Sequence, residues 1–153
     1  MNKNDAILLS NLRANGRMPL TVLAQKTGLP VSTIHCRLQK RVKEGLFKPA
    51  LLLNFEKIGF SAHAFVLLSV QPTERDKMIS HLNTHPNVNS LYRVNNGWHV
   101  LFDCVFRDLR ALELFMDSIE SKFTVKEKQV HYVLAELKTE TFLAGVDSPD
   151  ELC

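Results

Sequence analysis

Cysteine is scarce and scattered. Cys36, Cys104 and Cys153 are the only three in 153 residues. They form no C-x-x-C pair, so neither a disulfide framework nor a four-cysteine zinc site can be drawn. Long apolar runs are missing too. The longest, such as residues 64–68, are far too short to span a bilayer. The opening Met1-Asn2-Lys3-Asn4-Asp5 lacks the apolar core and small-residue cleavage site of a signal peptide. A reducing cytoplasm and no membrane partner are therefore expected. No G-x-S-x-G, Walker loop, G-x-G-x-x-G or H-E-x-x-H occurs, and there is no internal repeat or low-complexity stretch. Neither a catalytic centre nor a cofactor is expected. The chain is 45% hydrophobic and 23% charged, enough apolar content to bury a core, and its length suits one ordinary domain or two small ones.

Its formal charge of +3 is unevenly spread. Residues 1–60 carry ten Lys/Arg against three Asp/Glu, a net +7, while the rest carry nine against thirteen, a net −4. Such a split suggests a module for a polyanion joined to a neutral or acidic partner domain. A basic face solvated by water alone is the plainer alternative.

The basic part reads as three short helices. The first, capped by Asn2 or Asn4, carries Ile7, Leu8 and Leu12 and ends at Gly16. The second covers 20–26, turning Leu20, Leu23 and Ala24 inward, and stops at Thr27-Gly28. The third covers 31–44, with Ile34, Leu38 and Val42 as its apolar stripe and Gly45 as its C-terminal cap. Residues 46–54 then look extended, with Pro49 tolerated at an edge or bend. Short helix, tight turn and longer helix make the plan of a helix-turn-helix. In that motif the start of the second helix meets base edges while basic residues hold phosphates. Ser32, Thr33, His35, Cys36, Arg37, Lys40, Arg41 and Lys43 are the candidate contacts to double-stranded DNA. His35 and Arg37 are long enough to reach the groove floor, and Ser32 and Thr33 can donate to phosphate.

The remainder changes rhythm. Strands are predicted over 62–71, 88–94, 98–106 and 128–138, with helices over 73–82 and 109–123. Asn95-Asn96-Gly97 makes a hairpin turn between the middle strands. The order β-α-β-β-α-β folds into a four-stranded antiparallel sheet with both helices on one face, making the chain α+β. The opposite face, carrying Phe65, Leu67, Tyr92, Val100, Phe102 or their alternates, needs its own cover. A second copy in a twofold dimer is the economical solution.

The run from Gly16 to Lys48, G-R-M-P-L-T-V-L-A-Q-K-T-G-L-P-V-S-T-I-H-C-R-L-Q-K-R-V-K-E-G-L-F-K, resembles the N-terminal half of the Lrp/AsnC feast/famine transcriptional regulators. The likeness continues through Phe55-Glu56-Lys57-Ile58-Gly59-Phe60, Leu91-Tyr92-Arg93-Val94, Phe106-Arg107-Asp108-Leu109 and Glu136-Leu137-Lys138-Thr139-Glu140-Thr141. Their shared order and spacing make it specific. It implies a winged helix-turn-helix over 1–50, a linker or hinge over 51–60, a ferredoxin-like sensing and dimerisation domain over 61–143, and a tail over 144–153. It also implies further assembly of dimers into tetramers or octamers. A small-molecule effector would sit in a cleft between dimers, near Asn95, Asn96, Gly97, Trp98, His99, Thr139 and Thr141.

Two departures stand out. Arg41 occupies a place where the family commonly has Leu, leaving Val42 to carry the packing. Aligning Tyr92-Arg93-Val94 puts Asn96 at the family's Gly and His99 at its Asp, the acid that helps hold an effector's amino group in several relatives. His99 cannot supply that anion, so weak or absent binding of ordinary amino acids is expected.

Other chemistry was weighed. His81 and His85 are four apart but lack a third ligand, and read as solvent-exposed histidines at a helix end rather than a metal site. His63 and His131 read as polar strand residues and Cys104 as a small buried hydrophobe. Cys36 packs or faces DNA; a redox role would draw on nearby Arg37 and Lys40. Trp98 reads as interface packing or as an effector-cleft wall. Two other functions remain: a tetrapyrrole-pathway enzyme, since certain haem-pathway decarboxylases resemble the same domain pairing, and a protein-binding assembly module. The basic third helix argues against the enzyme.

Overall fold

The computed structural model describes residues 3–145. The chain divides into two compact units. One holds the chain up to Leu51 together with the segment from Leu137 onward, and the other is Leu52–Glu136.

The first unit is three helices, α1 (Lys3–Ala14), α2 (Leu20–Thr27) and α3 (Val31–Lys43). Leu8, Leu23 and Ile34, one from each, form its buried centre, ringed by Leu12, Met18, Leu20, Ala24, Leu29 and Leu38. The turn between α2 and α3 depends on Gly28. Its φ of 69° lies in the left-handed region and lets its N–H close on the Ala24 carbonyl at 2.9 Å. Pro30 then enters α3 at the N-cap, where a missing N–H costs nothing. The predicted stripe is shorter than expected. Ile34 is fully buried and Leu38 half-buried, but Val42 is 40% exposed, so it does not carry the packing. After α3, residues 46–54, expected to be extended, pair with no strand. The segment beyond Leu137 returns to α1: Arg13 Nη2 donates to Glu140 at 2.9 Å and Arg13 Nε to the Phe142 carbonyl at 3.1 Å.

The second unit has strands β1 (Ala62–Val70), β2 (Val88–Arg93), β3 (Val100–Phe106) and β4 (Val125–Tyr132), with helices α4 (Arg75–Asn83) and α5 (Leu109–Lys122). All pairs are antiparallel in the order β2-β3-β1-β4, the arrangement that β-α-β-β-α-β dictates. β4 begins three residues before its predicted start and ends at Tyr132. Leu134 and Leu137, taken into the predicted strand, are almost wholly exposed.

Ala64, Val66, Leu68, Val100, Phe102 and Cys104 pack beneath Met78 and Leu82 of α4 and Leu112, Phe115, Met116 and Ile119 of α5. Val100 and Phe102 therefore lie on the helix-covered face, not the open one. The register settles this. Phe102 pairs with Val66 and Leu91, whereas Phe65 pairs with Asp103 and Leu67 with Leu101, and neighbours along a strand point oppositely. The open face thus presents Phe65, Leu67, Leu101 and Tyr92, with Phe65 and Tyr92 exposed.

Candidate nucleic-acid interface

α3 divides its side chains between the interior and water. Ile34 faces the centre of the unit, while Ser32, His35, Cys36, Lys40 and Lys43 are exposed and Thr33 is half-buried. The Gln39 side-chain amide lies 3.3 Å from His35 Nε2, one turn away, which steadies the imidazole on the outer side. Three basic residues, Lys40, Arg41 and Lys43, close the last turn, where the helix dipole favours them.

The two arginines are not bare surface cations. Asp5, in the first turn of α1, is 2% exposed. Its Oδ2 accepts from Arg41 through Nε at 3.0 Å and through Nη2, and its Oδ1 lies 3.6 Å from Arg37 Nη1. Arg41 Nη1 donates to Glu44 Oε2 at 2.7 Å. The bonds to Glu44 and then to Asp5 hold the Arg41 guanidinium protonated above its ordinary range. With all three of its nitrogens engaged, Arg41 pins α3 to α1. Arg37 differs: one nitrogen approaches Asp5 while the side chain stays 34% exposed.

Asp5 was not singled out from the sequence, although a signal was there. It falls on the inward row of α1 with Leu8 and Leu12, an acid on an apolar stripe, and Arg41 stands where an apolar residue was anticipated. An unexpected acid and an unexpected base inside one small unit are candidates for each other.

In the sheet unit the hairpin turn forms as its residues demand. Asn96 has φ 61° and Gly97 φ 88°, the positive pair that suits a tight hairpin. His99 is half-buried and tied to β1. Its N–H donates to the Leu68 carbonyl at 2.9 Å, and its Nδ1 accepts the Val70 N–H at 3.1 Å, beside the irregularity where β1 shifts register against β4. An accepting Nδ1 leaves the proton of a neutral ring on Nε2. The side chain satisfies a backbone donor and presents no carboxylate. Asn95, Asn96 and Gly97 are exposed and Trp98 half-buried, while Thr139 and Thr141 are exposed in the segment grouped with the helical unit.

The remaining histidines fall in three settings. His81 and His85 are half-buried rather than solvent-exposed, which corrects the sequence reading. His85 lies 4.4 Å from the Phe115 ring centre and His81 5.7 Å from that of Phe123. Burial pushes both imidazoles below their ordinary range, aided by Lys122 and, at His85, also by neighbouring His81. His63 Nε2 lies 3.2 Å from Asp103 Oδ2 on the open face, between the rings of Phe55 and Phe65. His131 is exposed on β4. Among the described residues no three His, Cys, Asp or Glu side chains gather as a metal would require. Cys104 is fully buried and its thiol is pushed up to about 12, chiefly by burial, so it is the inert hydrophobe its strand position suggested. Cys36 is exposed.

A helix-turn-helix with a basic, water-facing second helix, joined to a four-stranded sheet unit, defines a class: DNA-binding regulators carrying a second domain. Comparison with known proteins narrows it. Residues 1–48 match the winged helix-turn-helix DNA-binding family and residues 63–143 match the Lrp/AsnC ligand binding domain. The HTH-type transcriptional regulator FL11 of Pyrococcus horikoshii is 27% identical over 140 residues, covering 91% of this chain and 93% of that protein. A Neisseria meningitidis transcriptional regulator solved with L-Met superposes with a TM-score of 0.85 at 24% identity, over 100% of this chain and 99% of that one. The leucine response regulatory protein LrpA of Mycobacterium tuberculosis gives 0.74 at 25% identity, over 92% and 97%. The chain belongs to the Lrp/AsnC family of DNA-binding transcriptional regulators. No helix among the described residues is long and apolar enough to cross a membrane.

Proposed function

We propose that α3 is the element that reads double-stranded DNA, with Ser32, Thr33, His35, Cys36 and Arg37 toward the bases and Lys40 and Lys43 on phosphates. The observation that carries this reading is the division of α3 itself: one buried anchor, Ile34, and an outer side made of small, polar and basic residues. Arg41 acts from behind as the pin to Asp5. The test is a titration of the full chain against a site selected from random duplexes, repeated across salt. Lys43→Ala should weaken selected and scrambled duplexes alike and reduce the salt slope by about one. His35→Ala should weaken the selected site alone. A helix that does not read DNA would leave both titrations unchanged.

We further propose that two copies join through the open face of the sheet, in the cytoplasm, and that dimers assemble into tetramers or octamers. Exposed Phe65 and Tyr92 beside Leu67 and Leu101 form an apolar surface that a second sheet would cover. Phe65→Glu should shift the full chain toward monomer in sedimentation equilibrium; an unchanged mass would reject that face.

The 95–99 hairpin is the effector-facing element in this reading; Thr139 and Thr141, grouped with the helical unit, are not included. The L-Met complex of the Neisseria regulator supports a small-molecule effector as a class. With His99 committed to the Val70 N–H and no acid in the hairpin, an α-amino group lacks its ion partner, so ordinary amino acids should bind weakly or not at all. A thermal-shift screen with millimolar amino acids tests this. A clear hit that His99→Asp weakens would overturn it.

A further inference from the structure

Asp5 sits where no DNA can touch it, yet it grips the two arginines of α3. We infer that Asp5 is a positioning residue for DNA recognition, holding one guanidinium nitrogen of Arg37 so that the rest of the fork is aimed outward at a base edge. This rests on the reading of α3 as the DNA-facing helix.

The Asp5 carboxylate is shared between the two arginines. Oδ2 is taken by Arg41, which donates through Nε and Nη2 and gives its last nitrogen to Glu44. Oδ1 is the oxygen nearest Arg37, at 3.6 Å from Nη1. Arg41 commits each of its three nitrogens to Asp5 or Glu44, so it serves as a buttress that fixes where Oδ1 lies. Arg37 sets one nitrogen in a long ion pair with that oxygen and, being 34% exposed, keeps the others available. A guanidinium is a planar fork of five donors, so it can rest one arm on a buried carboxylate while two others meet a guanine's paired acceptors. A long side chain without such an anchor loses rotamer freedom only on binding, and that cost subtracts from specificity. A buried acid that served packing alone would be better replaced by an apolar residue, since isolated burial of a carboxylate is costly.

The test uses full-length protein, a selected duplex and a scrambled duplex of equal length, with melting curves to confirm folding. Asp5→Asn keeps the shape of the side chain but loses its charge. It should weaken the selected duplex about tenfold, the size of a base-edge contact, while leaving the scrambled duplex and the salt slope unchanged. Arg37→Ala should lose a similar factor on the selected duplex, and the double variant should lose no more than Arg37→Ala alone. Arg37→Lys leaves the buried acid untouched, so it reports even if Asp5→Asn fails to fold. It keeps the charge but cannot fork between a carboxylate and a base, so selected-site binding should fall as with Arg37→Ala. Additive losses from Asp5→Asn and Arg37→Ala, an equal loss on both duplexes from Asp5→Asn, or full selected-site affinity in Arg37→Lys would overturn the inference. If Arg37→Ala costs nothing on the selected duplex, Arg37 is not a reader, and that part of the proposed function falls with it.

Discussion

The two units are held together by different physics. In the sheet unit, fifteen buried apolar residues from β1, β3 and the two helices form one cluster, with half-buried residues of β2 and β4 packed against it. In the helical unit only Leu8, Leu23 and Ile34 are buried apolar centres of the cluster, and a charged pin from Asp5 to Arg41 does part of the joining. A small helical module that leaves most of one helix facing water has little surface left for a core. Ion pairs from Asp5 therefore help fix how α3 packs on α1. The sheet unit has no such conflict, since its helices cover one face and its open face combines Phe65, Leu67, Leu101 and Tyr92 with the His63–Asp103 pair.

The largest expected effect lies in the sheet core. Phe102→Ala, which empties a fully buried position against Phe115, should cost about 3–5 kcal/mol and lower the melting temperature of the sheet unit. In the helical unit Ile34→Ala should cost about 2–5 kcal/mol, and more of a smaller total. Two separate thermal transitions, each moved by only one of these variants, would sharpen the contrast. A single transition moved by both would break it.

A smaller effect should follow pH. His81 and His85 are held below their ordinary range by burial, whereas in the unfolded chain they protonate near about 6.5. The unfolded state then binds more protons, so stability is full above that pH and falls as pH drops toward the folded values. His81 Nε2 is buried with no hydrogen-bond partner among the described residues. His81→Phe should therefore shrink the fall in urea midpoint between pH 7 and pH 5. An unchanged fall would show that the acid sensitivity arises elsewhere. The smallest effect is chemical. A thiol reagent should label Cys36 rapidly in the native protein and leave Cys104 untouched until unfolding.

Much of this architecture is legible from the residues in order. Gly28 and Pro30 mark the helix-turn-helix, Asn96-Gly97 marks the hairpin, and the β-α-β-β-α-β rhythm determines the sheet order. What the pattern could not supply is which face a doubly apolar strand buries. Val100 and Phe102 alternate with Leu101 and Asp103, and apolar residues on both sides erase the period-two signal that assigns a face. Leu134 and Leu137 misled for a related reason: alternation continues although β1 begins at Ala62, and the Val133 N–H bond to the His63 carbonyl is the last backbone bond to it among the described residues. His81 and His85 read as exposed because histidine is polar on average, and only the packing of α4 and α5 brings phenylalanine rings against them. On α3, proposed as the DNA-facing helix, the polar and basic residues are readable from the sequence, but the split between Arg37 and Arg41 is not. That split depends on Asp5, more than thirty residues away and brought near only by the fold.

The central claim is that α3 of the helical unit reads DNA sequence. The most direct measurement is selection from a randomised duplex pool with the full chain and, in parallel, with His35→Ala. The account predicts that the native chain enriches one defined site and that the variant, still folded and still binding duplex, fails to enrich it or enriches a site altered at the contacted position. Enrichment of the identical site by both proteins would contradict it.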